Sequence, residues 1–255
     1  MKDAIRQITV GVTVAATIFV NILAVTLPLN GQNTADISNR YPVYFTPAGY
    51  VFSIWGLIYI GLIAYALFQA RPSQADNPVQ RKIGYLVAAS GVANVVWLFL
   101  WHYNHILWTI LPMAALLGLL IAIYLQLGIG RTKAPALETW AMRVPFSVYL
   151  GWISVASIAN ASIFFDQLGW NPHGGAERNW MLVILAVVVA VSALMSLSRR
   201  DVAYSLVLVW ALVGIAVKQA PLSAESIVAG ALVAAMLILI VLGVSIWRVR
   251  KTAIA

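Results

Sequence analysis

The chain has 255 residues, 62% of them hydrophobic and 9% charged, where an average soluble domain carries roughly a quarter charged residues. So apolar a chain does not stay in water, and the composition points to a polytopic membrane protein. The net charge of +8 comes from lysines and arginines in short loops between apolar runs; this is an orientation signal and argues against a nucleic-acid partner, while the lack of cysteine removes disulfides, thiolate metal sites and iron–sulfur clusters.

A spanning helix needs about 20 mostly apolar residues. Eight runs qualify: Ile8–Leu29, Pro47–Ala70, Ile83–Trp101, Ile106–Ile129, Val144–Phe165, Trp180–Leu197, Val202–Val217 and Ile227–Trp247. The seventh is the shortest. The first run exceeds a signal-peptide core of about 7–15 residues and lacks a small-x-small cleavage site, so it reads as a retained helix. With the N-terminus inside, the inner segments hold Lys2, Arg6, Arg71, Arg81, Lys82, Arg131, Lys133, Arg143, Arg199, Arg200, Arg248, Arg250 and Lys251, against Arg40, Arg178 and Lys218 outside. Basic residues collect on the cytoplasmic side. The expected fold is an all-α polytopic bundle of eight transmembrane helices with both ends in the cytoplasm.

The second run opens as YPVYFTPAGYVFSIWGLIY, Tyr41 to Tyr59. Thr46 and Pro47 read as an N-cap followed by proline at the first helical position, and Tyr41, Tyr44 and Tyr50 fall at the outer interface. Phe52, Trp55 and Tyr59 stand three and four apart, so they share a face. The third run repeats the device with Ser90, Asn94, Trp97 and Trp101, and the fifth with Pro145, Tyr149, Trp152, Ala156 and Asn160.

Trp101, Trp108, Trp140, Trp170, Trp180 and Trp247 lie near span ends, where an interfacial belt explains them. Trp55, Trp97, Trp152 and Trp210 lie deeper, and both helix packing and a ligand wall are open to them. Asn94 and Asn160 must find partners, because an unsatisfied amide in hydrocarbon costs several kcal/mol. Those partners are neighbouring helices or the polar edge of a ligand. The topology puts Trp55, Asn94, Trp97, Trp101 and Asn160 in the outer half of the bilayer, and a small-molecule site is an aromatic-lined cavity with a few polar groups.

No charged residue falls inside the eight runs, which argues against ion pumps and proton-coupled transporters and against paired-carboxylate catalysis. No Ser/His/Asp motif or phosphate-binding glycine loop is visible. The chain is therefore expected not to be an enzyme, with no catalytic residue and no metal ligand.

The ordered motifs resemble the translocator protein family, also called tryptophan-rich sensory proteins or peripheral benzodiazepine receptors. Thr46-Pro47 followed by Trp55-Gly-Leu-Ile-Tyr59 resembles that family's second helix. Asn94-Val-Val-Trp97 with Phe99 and Trp101 resembles its third, Trp108 the start of its fourth, and Pro145-Phe146 with Trp152 and Asn160 its fifth. The chain departs from the pattern at Thr46, where the family has a second proline, in a longer gap from Pro145 to Trp152, and in three further helices after residue 178. It is similar in this to a longer bacterial branch.

The resemblance implies a five-helix core over residues 1–168, a three-helix addition over 178–251, and residence in the bacterial cytoplasmic membrane. It also implies a hydrophobic planar ligand such as a porphyrin or other tetrapyrrole, with no resident cofactor required. The expected pocket lies between the second, third and fifth helices under the Asn30–Thr46 loop, lined by Phe52, Trp55, Tyr59, Asn94, Trp97, Trp101, Trp152 and Asn160. Binding would serve sensing or transport; an uncoupled transporter of a hydrophobic metabolite and a porphyrin-degrading enzyme are the rival readings.

Three smaller signals carry less. Leu62, Tyr65 and Arg71 fit a short sterol pattern that is only hypothesis-grade. His102, His105 and His173 share the outer side, where solvated loop histidines are commoner than haem or zinc ligands. Gly214, Gly230, Ala234 and Ala235 suit close helix contact, so the last three helices would cover a flank of the core or join a second copy of the chain.

Overall fold

The computed structural model describes residues 2–27, 29–170, 175–222 and 224–254. Among them every regular element is helical, and eight helices are long and apolar enough to cross a membrane. We number these α1 (Lys2–Thr26), α2 (Gly49–Gln69), α3 (Pro78–His102), α4 (Ile106–Gln126), α5 (Ala136–Gln167), α6 (Gly175–Ser198), α7 (Val202–Gln219) and α8 (Glu225–Ile254). Each apolar run of the sequence corresponds to one helix, including the short seventh.

The first five helices close a ring. α3 packs between α1 and α4, α4 packs on α5, and α2 completes the circuit by touching α5 and α1. α7 docks on the outside of α5, and α6 and α8 pack on α7 and on each other. The three added helices therefore cover a flank of the ring. Lipid tails are as apolar as leucine, so such contacts rest on close packing and interhelical hydrogen bonds. Gly214 on α7 shows how close: a Cβ there would lie 2.1 Å from Val51 Cγ2 and 3.3 Å from Pro47 Cβ. Gly230 meets α6 in the same manner, through Leu182 and Leu185.

Two helix starts differ from simple sequence rules. Pro47 does not open α2. The helix begins two residues later as a 3-10 turn, Gly49–Ser53, that becomes α-helical at Ile54, and no side chain caps it. Thr46 is fully buried; its hydroxyl donates to the Val43 carbonyl (3.0 Å) and accepts from Lys218 Nζ (2.6 Å). The N-cap role fails because α7 takes the hydroxyl. In α5, a π-turn at Thr139–Arg143 precedes Pro145, and the wider turn makes room for a ring that would otherwise crowd the carbonyl four residues back.

The basic end is tied by side chains that lie outside the apolar runs. Arg6 is buried in α1 and donates to the carbonyls of Gln74 (3.1 Å) and Ala75 (2.9 Å), while Arg81 meets Asp3 at 2.7 Å. Asp201 caps α7 by accepting from Tyr204 N (3.0 Å), and it also accepts from Tyr124 (2.9 Å) and Ser147 (2.7 Å) on the ring. The apolar runs are free of charge as read, yet α1 extends past its run and buries Arg6, and Asp201 is buried as the N-cap of α7.

Candidate functional site

At the end opposite the basic loops, the aromatic faces of α2, α3 and α5 meet. Trp55 is the hub: its ring centroid lies 5.7 Å from Tyr59, 5.9 Å from Tyr149 and 6.3 Å from Trp152. Phe52 meets Trp152 edge-on at 5.7 Å, and Trp97 stacks on Trp101 at 5.3 Å. Edge-on and offset arrangements match the quadrupoles of the rings and contribute about 0.5–1.5 kcal/mol per pair beyond burial. Ser90, Asn94, Trp97 and Trp101 are all buried, as are Tyr149, Trp152 and Asn160. Phe52, Trp55 and Tyr59 are half-buried, because α2 turns Ile54, Ile58 and Tyr65 into the core instead.

The two asparagines are engaged within the bundle. Asn160 Oδ1 accepts from Trp97 Nε1 (3.3 Å) and Asn160 Nδ2 donates to Thr109 Oγ1 (2.7 Å), linking α3, α4 and α5. Asn94 Oδ1 accepts from Asn21 Nδ2 (2.8 Å), which joins α3 to α1. Interhelical bonding thus takes both polar ends of Asn160. The indole of Trp152 is different. It is buried, and its Nε1 has no hydrogen-bond partner among the described residues.

Two spaces flank this cluster. Between α2, α3 and α5 lies a cleft of only about 40 Å³, edged by Phe52, Trp55, Trp97, Trp101, Trp152 and Asn160. The rings fill the expected pocket themselves. On the other side of Phe52, Trp55 and Trp97, between α1, α2 and α3, a cavity of about 530 Å³ reaches Tyr59 and is rimmed by Asn21, Asn33 and Thr34. That volume falls in the range of small-molecule sites, about 300–1,000 Å³. A short helix, Thr34–Asn39, roofs both spaces. Asn33 Oδ1 caps it by accepting from Ala35 N and Asp36 N (both 3.0 Å), and its Thr34 carbonyl accepts from Trp101 Nε1 at 3.2 Å.

Several residues carry roles the sequence did not suggest. Asn21 is the amide of α1 that Asn94 uses, and as the one side-chain amide inside the first apolar run it was a readable signal. Trp101 is 3% exposed and so belongs to the cluster, whereas Trp108, Trp140, Trp170, Trp180 and Trp247 are exposed as a belt requires. His102 is buried with Nδ1 2.9 Å from the Leu98 carbonyl, and Asn30 Nδ2 donates to the His102 carbonyl (3.0 Å); His105 is exposed. The two do not form a ligand pair, and His173 lies outside the described residues. Tyr65 is fully buried and donates to Gln80 Oε1 (3.1 Å), so the short sterol pattern offers no membrane-facing tyrosine.

Eight helices long and apolar enough to cross a membrane, three of which (α1, α2 and α3) frame an aromatic, amide-rimmed cavity, define a multi-pass membrane protein. The chain belongs to the TSPO-like protein family, whose model matches residues 7–244. The match extends through α6, α7 and most of α8. No curated protein and no solved structure matches the chain at a significant level.

Proposed function

We propose that the protein binds a flat hydrophobic molecule of tetrapyrrole shape in the cytoplasmic membrane, for sensing or transport, without chemical turnover. One observation carries the reading: Phe52, Trp55 and Trp97 form a wall shared by the open 530 Å³ cavity and the ring-filled cleft beside it. A planar ligand entering between α1 and α2 would lie against this wall, and rotation of Trp55 or Phe52 would extend the cavity towards Trp152. The unpartnered Trp152 Nε1 would then donate to the ligand's polar edge, a part that Asn160 cannot play because its amide is already bonded.

Titration of the purified protein with protoporphyrin, followed by tryptophan quenching and the ligand's absorption band, tests this. Saturable binding is expected, weakened about tenfold by Trp55→Ala, equivalent to about 1.4 kcal/mol. Chromatography after prolonged incubation should recover the ligand unchanged. Failure of protoporphyrin and haem to saturate would sink the proposal, and saturable binding indifferent to Phe52→Ala, Trp55→Ala and Trp97→Ala would move the site elsewhere.

A further inference from the structure

A second and larger opening lies at the basic end, where α7 leaves a groove of about 880 Å³ against α2 and α5. Its head is cationic. Arg143, Arg199 and Arg200 line it beside Asp201. The Asp201 carboxylate is turned inward and accepts from Tyr124, Ser147 and the Tyr204 amide. Arg143 bonds Thr132 and reaches Glu138 at 3.4 Å, and Arg199 donates to the Ile129 carbonyl (3.3 Å) over the Tyr124 ring. Arg200 is exposed; its backbone N donates to the Ser196 carbonyl (3.1 Å), but no hydrogen bond or ion pair engages its guanidinium among the described residues. The three guanidinium groups therefore exceed the two carboxylates near them.

The rest of the groove is apolar and faces lipid. Leu57 (55% exposed), Leu206 (48%) and Trp210 (37%) line it above the arginines. From Asp201 to Trp210 the helix rises about 14 Å at 1.5 Å per residue, close to half of a hydrocarbon core about 30 Å thick. The Trp210 indole closes the far end, held by its hydrogen bond to the Val51 carbonyl (3.1 Å). A cationic head, an apolar channel one leaflet long and a closed end match a single molecule.

We propose that this groove is a site for an anionic phospholipid of the inner leaflet, its phosphate at Arg199 and Arg200 and one acyl chain laid along α7 towards Trp210. Basic pockets between transmembrane helices on the cytoplasmic side are the physical type of such sites. The proposal is independent of the ligand in the outer cavity.

Native mass spectrometry of the delipidated full-length protein, given equal phosphatidylglycerol and phosphatidylcholine, tests it. Phosphatidylglycerol should be retained preferentially, and Arg200→Gln, which removes no side-chain hydrogen bond or ion pair among the described residues, should reduce the preference about fivefold. Leu206→Trp should lower the number of retained lipids by blocking the chain. Equal retention of the two lipids by the unaltered protein would overturn the proposal, as would indifference to Arg200→Gln. Displacement of phosphatidylglycerol by millimolar inorganic phosphate would also overturn it, because the site would then read only the head.

Discussion

The outer cavity and the basic-end groove differ in how their polar atoms are used. Around the outer cavity, several indole and amide donors already serve the bundle: Trp97 donates to Asn160, Trp101 to the Thr34 carbonyl, and Asn21 to Asn94. What remains is aromatic surface, which would discriminate by shape and size. The groove keeps the Arg200 guanidinium uncommitted and would discriminate by charge. On the two proposals the chain would apply different selection rules at its two faces, and α7 connects them. Its start frames the groove, and its far half grips the first turns of α2, where Ala48 N donates to the Gly214 carbonyl (3.0 Å).

The sharpest way to break this arrangement is at Gly214. Leucine there would drive a side chain into Val51 and Pro47, and overpacking of this kind costs about 1–3 kcal/mol. Denaturant unfolding in detergent should show a loss near the top of that range. Because the clash displaces the start of α2, porphyrin binding should weaken as well. A Gly214→Leu protein of unchanged stability would mean that α7 does not hold α2.

Asn160→Leu comes next. It leaves Trp97 Nε1 without its partner and removes the donor to Thr109 Oγ1, whose hydroxyl still donates to the Ile106 carbonyl, and a buried polar group left unsatisfied costs about 1–3 kcal/mol in water-soluble proteins. Interhelical side-chain bonds in membranes average nearer 0.6 kcal/mol, because the unfolded helices also find partners. The two broken bonds together should therefore destabilise by about 1 kcal/mol. A loss above 3 kcal/mol would indicate that the asparagine holds the whole α3–α4–α5 corner.

A paired measurement sharpens the comparison itself. Trp55→Ala should weaken porphyrin binding about tenfold and leave the phosphatidylglycerol preference unchanged. Arg200→Gln should do the reverse. If either substitution moved both quantities, the two openings would be one coupled site.

Much of this was legible in the sequence, and the gaps have physical reasons. Period and length gave the eight helices, because only helices satisfy their backbone within the bilayer. Spacing gave the shared faces of Phe52, Trp55 and Tyr59 and of Asn94, Trp97 and Trp101. It could not give which donors would be taken by partners far along the chain. Thr46 looked like an N-cap and instead accepts from Lys218, 172 residues away. Asp201 lies just before the seventh apolar run and is buried with hydrogen bonds from Tyr124 and Ser147. His102 looked solvated, yet Asn30 folds over its carbonyl in a left-handed turn (φ 55°) that apolar periodicity does not encode. The open cavity followed the same rule: the rings between α2, α3 and α5 pack on one another, and the space falls on the α1 side, beside Asn21.

The smallest expected effect tests the joint between the two halves most cleanly. Trp210→Phe keeps most of the ring and its edge-on contact with Tyr50, whose centroid lies 5.4 Å away, but removes the indole donor to the Val51 carbonyl. Val51 N is already bonded to the Ala48 carbonyl, so the start of α2 should stay formed. The lost bond bridges two helices at mid-membrane depth, and the cost should be about 0.6 kcal/mol. That is near the limit of equilibrium unfolding, so amide exchange over residues 49–53 is the better readout. Exchange there should rise about threefold, the factor that corresponds to such an energy, while exchange in α4 stays the same. Faster exchange in both would show that Trp210 stabilises the bundle as a whole; faster exchange at the start of α2 alone would show that α7 acts locally, as the clamp on the wall of the outer cavity.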